Sequence, residues 1–162
     1  MNYKAKLLSI WWIFVLAVSG VGIVAGVFIF YSAELDVRGT EASILNQKLF
    51  DCLAPQGVLI SDFVKDSGIN PDFDVFKTCM LSEKAFNDEN FYFGINFQGK
   101  KIEKGKISYN QDCEAIGLNP KIKDAEGYPK CVKNMREVSF SGKKFELEIL
   151  TASNNRGNKN AK

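Results

Sequence analysis

The stretch from Leu7 to Tyr31 reads LLSIWWIFVLAVSGVGIVAGVFIFY and carries no charged side chain; Ser9 and Ser19 are its strongly polar residues. At about 1.5 Å per residue, a helix of this length crosses a hydrocarbon core of about 30 Å. A soluble surface helix would show a polar stripe, and this one has none. Three readings compete. A cleavable signal peptide has an apolar region of about 7–15 residues, shorter than this run, with Tyr31-Ser32-Ala33 as the nearest thing to a cleavage triplet. A buried core helix is the second. A retained transmembrane anchor over residues 7–31 is the reading favoured here, with Trp11 and Trp12 near one interface and Tyr31 near the other. Lys4 and Lys6 precede the run; Glu34, Asp36, Arg38 and Glu41 follow it. The basic flank stays inside, so residues 1–6 are expected in the cytoplasm and the chain from about residue 34 outside. Gly22 and Gly26 form a GxxxG step that lets two helices approach closely, and a helix–helix contact is expected there. The competing explanation is that glycine is simply frequent in membrane helices.

The cysteines bear independently on the compartment. There are four, Cys52, Cys79, Cys113 and Cys131, all after the apolar run and none in a CxxC pair. That spacing disfavours a thioredoxin-like site or a zinc ribbon. Two disulfides in an oxidising compartment are expected, against four free thiols in a reducing one. Four cysteines allow three pairings. Cys52–Cys79 with Cys113–Cys131 is preferred because it closes the shorter loops, each bridge contributing about 2–4 kcal/mol.

Beyond the membrane run the helical pattern continues. Ala42, Leu45, Leu49, Cys52 and Leu53 recur at three- and four-residue steps, until Pro55 and Gly57 stop it. One helix from about 7 to 54 is predicted, amphipathic over 32–54, with Gly39 as its weak point. Ser61 is a candidate cap for a short turn through Phe63 and Val64. Asn70-Pro71 reads as an N-cap with proline at the first helical position. Phe73, Phe76 and Met80 would then form one apolar face that brings Cys79 to Cys52. Phe91, Phe93, Ile95 and Phe97 alternate with Tyr92, Gly94, Asn96 and Gln98, which is a strand with one greasy face. Gly99-Lys100 is read as a turn into a partner strand from Ile102 to Tyr109. Val132 to Phe140, Ser141-Gly142, and Phe145, Leu147 and Ile149 read as a second hairpin. Residues 110–131 are expected to be a loop-rich insert clamped by Cys113–Cys131, and 153–162 a disordered tail. The fold class is α+β: a long N-terminal transmembrane helix continuing into an amphipathic helix, packed on a small antiparallel β-sheet domain (55–152).

Histidine is absent, which removes Ser-His-Asp, Cys-His and zincin chemistry. No catalytic, cofactor-binding or metal-binding residue is nominated, and no enzyme, cofactor or nucleic-acid partner is expected. Residues 34–98 carry 5 basic and 11 acidic residues, a net of −6; residues 99–162 carry 14 and 8, a net of +6. Such polarity suits head-to-tail stacking or an anionic surface, although solvated strand faces explain it more simply. Lys100, Lys101, Lys104 and Lys106 suit a lysine-guarded edge strand better than a nucleic-acid face. Asp66, Asn70, Asp72 and Asp74 lack the D-x-D-x-D-G order of a calcium loop and read as turn chemistry. Glu146 and Glu148 share a strand face, with nothing to mark a pocket. The aromatic strand Phe91 to Phe97 either lines a ligand cleft or is core, and core is preferred.

The layout of basic start, apolar helix, amphipathic helix and disulfide-bonded β domain resembles type IV pilins and pseudopilins. Lys4-Ala5 stands where a processed leader would end, and Ile10 where that family's glutamate would be. The segment Asp36-Val37-Arg38-Gly39-Thr40-Glu41-Ala42 with Asp51-Cys52-Leu53 is similar to uncharacterised single-pass membrane proteins of archaea. The latter resemblance implies the same topology and cysteine use and no mechanism. The long continuous helix, the GxxxG step and the polarised charge point to an accessory or pilin-like subunit working by contact with the bilayer and other membrane or surface proteins; the aromatic strand Phe91 to Phe97 gives the alternative, an extracytoplasmic ligand-binding or sensor module.

Overall fold

A computed structural model describes residues 3–32, 36–65, 68–119 and 127–155. The chain divides into two units, residues 1–35 and 36–162. The first is the helix α1, Tyr3–Ser32. Over Trp11–Phe28 its mean hydropathy is 2.2 and every side chain is exposed. It is apolar all round, so no seam marks a face for a soluble core. The helix extends past both ends of the predicted span, and its first residues, Tyr3 to Lys6, are already helical.

The second unit opens with Asp36 and Val37, which are not helical, and then α2, Arg38–Leu53. The predicted single helix from 7 to 54 is therefore wrong. The break falls before Arg38 rather than at Gly39, which sits inside the first turn of α2. Its cause is local: the Asp36 carboxylate accepts from the Arg38 backbone N–H (3.2 Å) and binds its guanidinium. An Asx-type bond of this kind offers the backbone an alternative to continuing a helix. The apolar stripe of α2 is as predicted, with Ala42, Leu45, Leu49 and Leu53 buried, and Phe50 joins them. A 3-10 turn at Pro55–Gly57 ends it.

Short elements follow: β1 (Val64–Lys65), β2 (Gly68–Ile69), α3 (Val75–Thr78) and α4 (Glu83–Asn87). The Asn70-Pro71 helix start does not occur. The Asn70 side chain accepts from Asp72 N–H and fixes a turn, while Asp74 caps α3 by accepting from Lys77 N–H. Ser61 begins a 3-10 turn, but its hydroxyl goes to Asp62 rather than to the backbone.

The main sheet has the order β4-β3-β6-β5, all antiparallel, built from β3 (Phe91–Phe97), β4 (Lys100–Gly105), β5 (Lys130–Phe140) and β6 (Lys143–Ser153). Two hairpins supply it. Gln98-Gly99 and Ser141-Gly142 both have two successive positive φ angles, 51° and 76°, then 49° and 76°. That is the type I′ geometry whose twist matches the strands. The first turn lies one residue earlier than predicted, so Lys100 already pairs with Phe97. β4 stops at Gly105, where a Cβ would sit 2.1 Å from the Phe91 carbonyl oxygen and φ is +89°. Tyr109 is thus not in the strand. It belongs to α5, Ser108–Leu118, a helix where a loop-rich insert was expected. Residues 120–126 of that insert, and the tail from 156, lie outside the described residues. Ser153, placed in the tail by the sequence, is the buried last residue of β6.

Helix α2 covers one face of the sheet and α5 part of the other. The α2 side holds the main core: Phe93, Ile95, Phe97, Leu147 and Ile149 meet Leu45, Leu49, Phe50 and Leu53, with Phe63, Phe76 and Phe86 at the flank. The α5 side holds a smaller cluster of Tyr92, Tyr109, Cys113, Leu150 and Ala152. Asn46 is buried within the α2 stripe. Its amide donates to the Ile149 carbonyl (2.9 Å) and accepts from the Asn134 amide (2.8 Å), so burial leaves no orphan group.

Candidate functional site

The densest polar constellation lies at the start of α2. Arg38 donates to both carboxylate oxygens of Asp36 (2.8 Å each), to the Tyr128 carbonyl (3.0 Å) and to Asn154 Oδ1 (3.1 Å). One planar guanidinium thereby joins the entry to α2, the approach to β5 and the exit from β6. Lys130 Nζ stands 3.8 Å from Asp36. One turn on, Glu41 accepts from the Ser153 hydroxyl (2.6 Å) and the Asn155 amide (3.0 Å). Thr151 donates to the Ala42 carbonyl (2.8 Å). These bonds gather both chain ends of the described domain into one clasp. The sequence pairs nothing across it, because the partners lie about a hundred residues apart; the single local signal is an aspartate two residues before an arginine.

The hydrogen bonds from Arg38 hold the Asp36 carboxyl at about 2, below its ordinary 3.8. A depressed carboxylate contributes stability above its unfolded value and loses it as pH falls through the folded one. The Asp36–Arg38 contribution is therefore fully present above about pH 4 and is lost from there to about pH 2. Asp36→Asn is expected to flatten the stability–pH curve in that window and leave it unchanged near neutrality in shape. The effect is modest, since the carboxylate is 41% exposed and water screens the pair. Thermal unfolding of both proteins across the window checks this; parallel curves refute it.

On the α5 side, Tyr92 is buried and donates to Glu103 Oε1 (2.5 Å), which Lys101 also meets at 2.9 Å. Burial, then the Glu103 carboxylate, pushes the Tyr92 phenol above its ordinary range, and Glu103 is lowered in turn. Gly94 makes room: a Cβ there would lie 2.6 Å from the phenol oxygen. The Tyr109 hydroxyl donates to the Glu89 carbonyl (3.1 Å), and Lys106 reaches Glu89 at 3.3 Å. Each polar group in this cluster is committed to a neighbour inside the fold, which suits a structural tie rather than proton transfer.

The nominated cysteines pair as preferred, Cys52–Cys79 and Cys113–Cys131. Gly22 and Gly26 are helical, and a Cβ at either meets nothing within 4 Å in this chain. A shallow groove along α1 is lined instead by Leu16, Ala17, Gly20, Val21, Val24 and Phe28. Lys100, Lys101 and Lys104 lie on β4, an edge strand of the main sheet, while Lys106 has left it. Asp66 lies outside the described residues; Asn70, Asp72 and Asp74 serve the turn and cap above, and no metal-binding cluster occurs among the described residues. Glu148 pairs with Lys133 (2.9 Å), and Glu146 lies across from Glu137, which Lys144 meets at 2.6 Å. These acids form rungs of a charged ladder. Phe93, Ile95 and Phe97 are consumed by the core, so that face of β3 lines no cleft.

Met80 departs most from expectation. The predicted apolar face places it inside, but it is 86% exposed with φ +50°. Leu81 N–H donates to the Phe76 carbonyl (2.9 Å), closing α3 in the manner that usually puts glycine at this position. Met80→Gly is expected to stabilise the domain by roughly 0.5–1 kcal/mol, relief of left-handed strain outweighing the extra chain entropy. Denaturant unfolding reads this directly, and a destabilised variant refutes it.

No family model, curated protein or solved structure matches the chain.

Proposed function

We propose that this chain is a single-pass membrane protein, its N-terminus cytoplasmic and its C-terminal domain extracytoplasmic. It acts by contact with other membrane or surface proteins, as an accessory or pilin-like subunit of a surface or secretion assembly. The observation that carries the reading is α1: a run of exposed apolar side chains on every side over Trp11–Phe28, joined to a domain with two disulfides. Exposed apolar surface on this scale is costly in water and favourable in lipid. The disulfides fit the oxidising side of the membrane. The domain's buried polar groups hold one another, which supports a rigid binding body rather than a catalyst.

The test labels intact cells with a membrane-impermeant maleimide, with and without prior reduction, followed by intact mass. Labels that appear only after reduction support the topology. Cysteines that label without reduction, and only after lysis, overturn it. Crosslinking in cells then addresses the assembly: a lone monomer in mild detergent with no crosslinked neighbour removes that part of the reading.

A further inference from the structure

We propose that two copies of this chain join edge to edge through β5, residues 133–137 of one running antiparallel to those of the other about a two-fold axis at Met135. The joint continues the main sheet of one copy into that of the next. It rests on the contact reading above and names a second copy as one partner.

β5 stands at the end of the strand order. Which of its backbone groups face outward follows from Ser139. Its carbonyl accepts from Leu59 N–H (2.9 Å), on the side away from β6. Residues two apart on a strand direct their N–H and C=O the same way. Lys133, Met135 and Glu137 therefore point theirs outward, and among the described residues no strand receives them. The segment at Val58 and Leu59 closes the edge at Ser139 and leaves the stretch 133–137 open. Every side chain of that stretch is exposed, Met135 at 55%. An edge of this kind is a template for a further strand.

Charge selects the occupant. Centred on Met135, the antiparallel register sets Lys133 opposite Glu137 of the second copy, and Glu137 opposite Lys133 of the second copy. The two lie on one face of the sheet, because strand residues alternate. Lys133 already meets Glu148 (2.9 Å), and Glu137 already meets Lys144 (2.6 Å). Across the joint the row reads Glu148 and Lys133, then Glu137 and Lys144 of the second copy. It alternates in sign and keeps both existing pairs. Registers centred on Lys133 or on Glu137 would oppose like charges. The other edge, β4, carries Lys100, Lys101 and Lys104 against Glu103 and repels its own copy. The twist of the sheet gives the second strand room at Val58. Adjacent strands cross at about 20–25°, so four residues from the axis, about 13 Å away, it has left the plane by ~5 Å.

The experiment puts one free thiol on the full chain in mild detergent, by Met135→Cys, Lys104→Cys or Lys143→Cys, and treats each protein with a short bismaleimide. Lys104 lies on the opposite edge strand and Lys143 beside the β5–β6 turn, both exposed. Crosslinked dimer at position 135, with none at 104 or 143, is expected. Two further changes are made in the Met135→Cys chain. Glu137→Lys sets lysines opposite each other across the joint. Lys133→Pro removes an outward N–H that the ladder with β6 does not use, a place where an edge strand tolerates proline. Each should abolish the crosslink while cooperative unfolding persists, and Glu137→Lys decides if the proline variant does not fold. No crosslink at 135, crosslinks at all three positions, or a crosslink that survives either change in a folded protein overturns the joint. A chain that gives none at 135 yet crosslinks to other proteins in cells loses the joint and keeps the contact reading; a chain with no crosslinked neighbour at all loses both.

Discussion

Removing both disulfides is expected to cost the C-terminal domain about 7 kcal/mol, comparable with the whole stability of many domains of this size. The separations are 27 residues for Cys52–Cys79 and 18 for Cys113–Cys131. The chain-entropy relation assigns roughly 3.5 and 3 kcal/mol to loops of those lengths. The two bridges also differ in what they hold. Cys52–Cys79 closes the segment of short elements from Pro55 to Thr78, which has a two-residue ladder and little other backbone regularity. Cys113–Cys131 fastens α5 to β5 within the small cluster of Tyr92, Tyr109, Leu150 and Ala152. Cys52→Ala with Cys79→Ala should therefore destabilise more than Cys113→Ala with Cys131→Ala. Denaturant unfolding of the full chain in detergent, oxidised and reduced, measures both. A reduced protein whose midpoint barely moves would mean that the core alone carries the fold.

The second large effect centres on Phe93. Its ring is fully buried and meets Phe86 at 5.2 Å and Phe76 at 5.8 Å, both edge-on, while those two meet each other at 5.3 Å. The triangle is what attaches the short helices α3 and α4 to β3. Phe93→Ala is expected to cost about 3–5 kcal/mol, the transfer loss plus an unfilled cavity. Phe93→Leu should cost less than about 1.5 kcal/mol, because most of the volume is kept. A shift in midpoint with an unchanged denaturant slope would assign the loss to the native state. Equal effects of the two substitutions would contradict the packing argument.

How far the sequence announces this structure follows from the range of each signal. Period-two and period-three-to-four patterns are local, and they located β3, the β5–β6 hairpin and the buried stripe of α2. Loop length favoured the cysteine pairing that occurs. The failures were of two kinds. Short polar side chains set boundaries that periodicity does not see: Asp36 restarts the helix, Asn70 forms a turn, and Asp74 rather than Asn70 caps α3. Long-range burial was the other. Tyr92 read as the polar-side neighbour of a greasy strand face and Tyr109 as the end of a strand, because the pattern of α5, SYNQDCEAIGL, carries too few apolar residues to declare the helix that buries them. The clasp was illegible for the same reason, since its bonds join Arg38 and Glu41 to residues near the other end of the chain.

The joining of Arg38 and Glu41 to Asn154 and Asn155 at the clasp governs where added sequence can be placed in this domain. A reporter or second domain fused after Asn155 would emerge beside the first turn of α2 and compete for space there with whatever adjoins it. The tight turns at Gln98-Gly99 and Ser141-Gly142 lie at the opposite end of the sheet, where β3 meets β4 and β5 meets β6. At either of those turns added sequence would be displayed outward while α2, β6 and their shared bonds stay as they are.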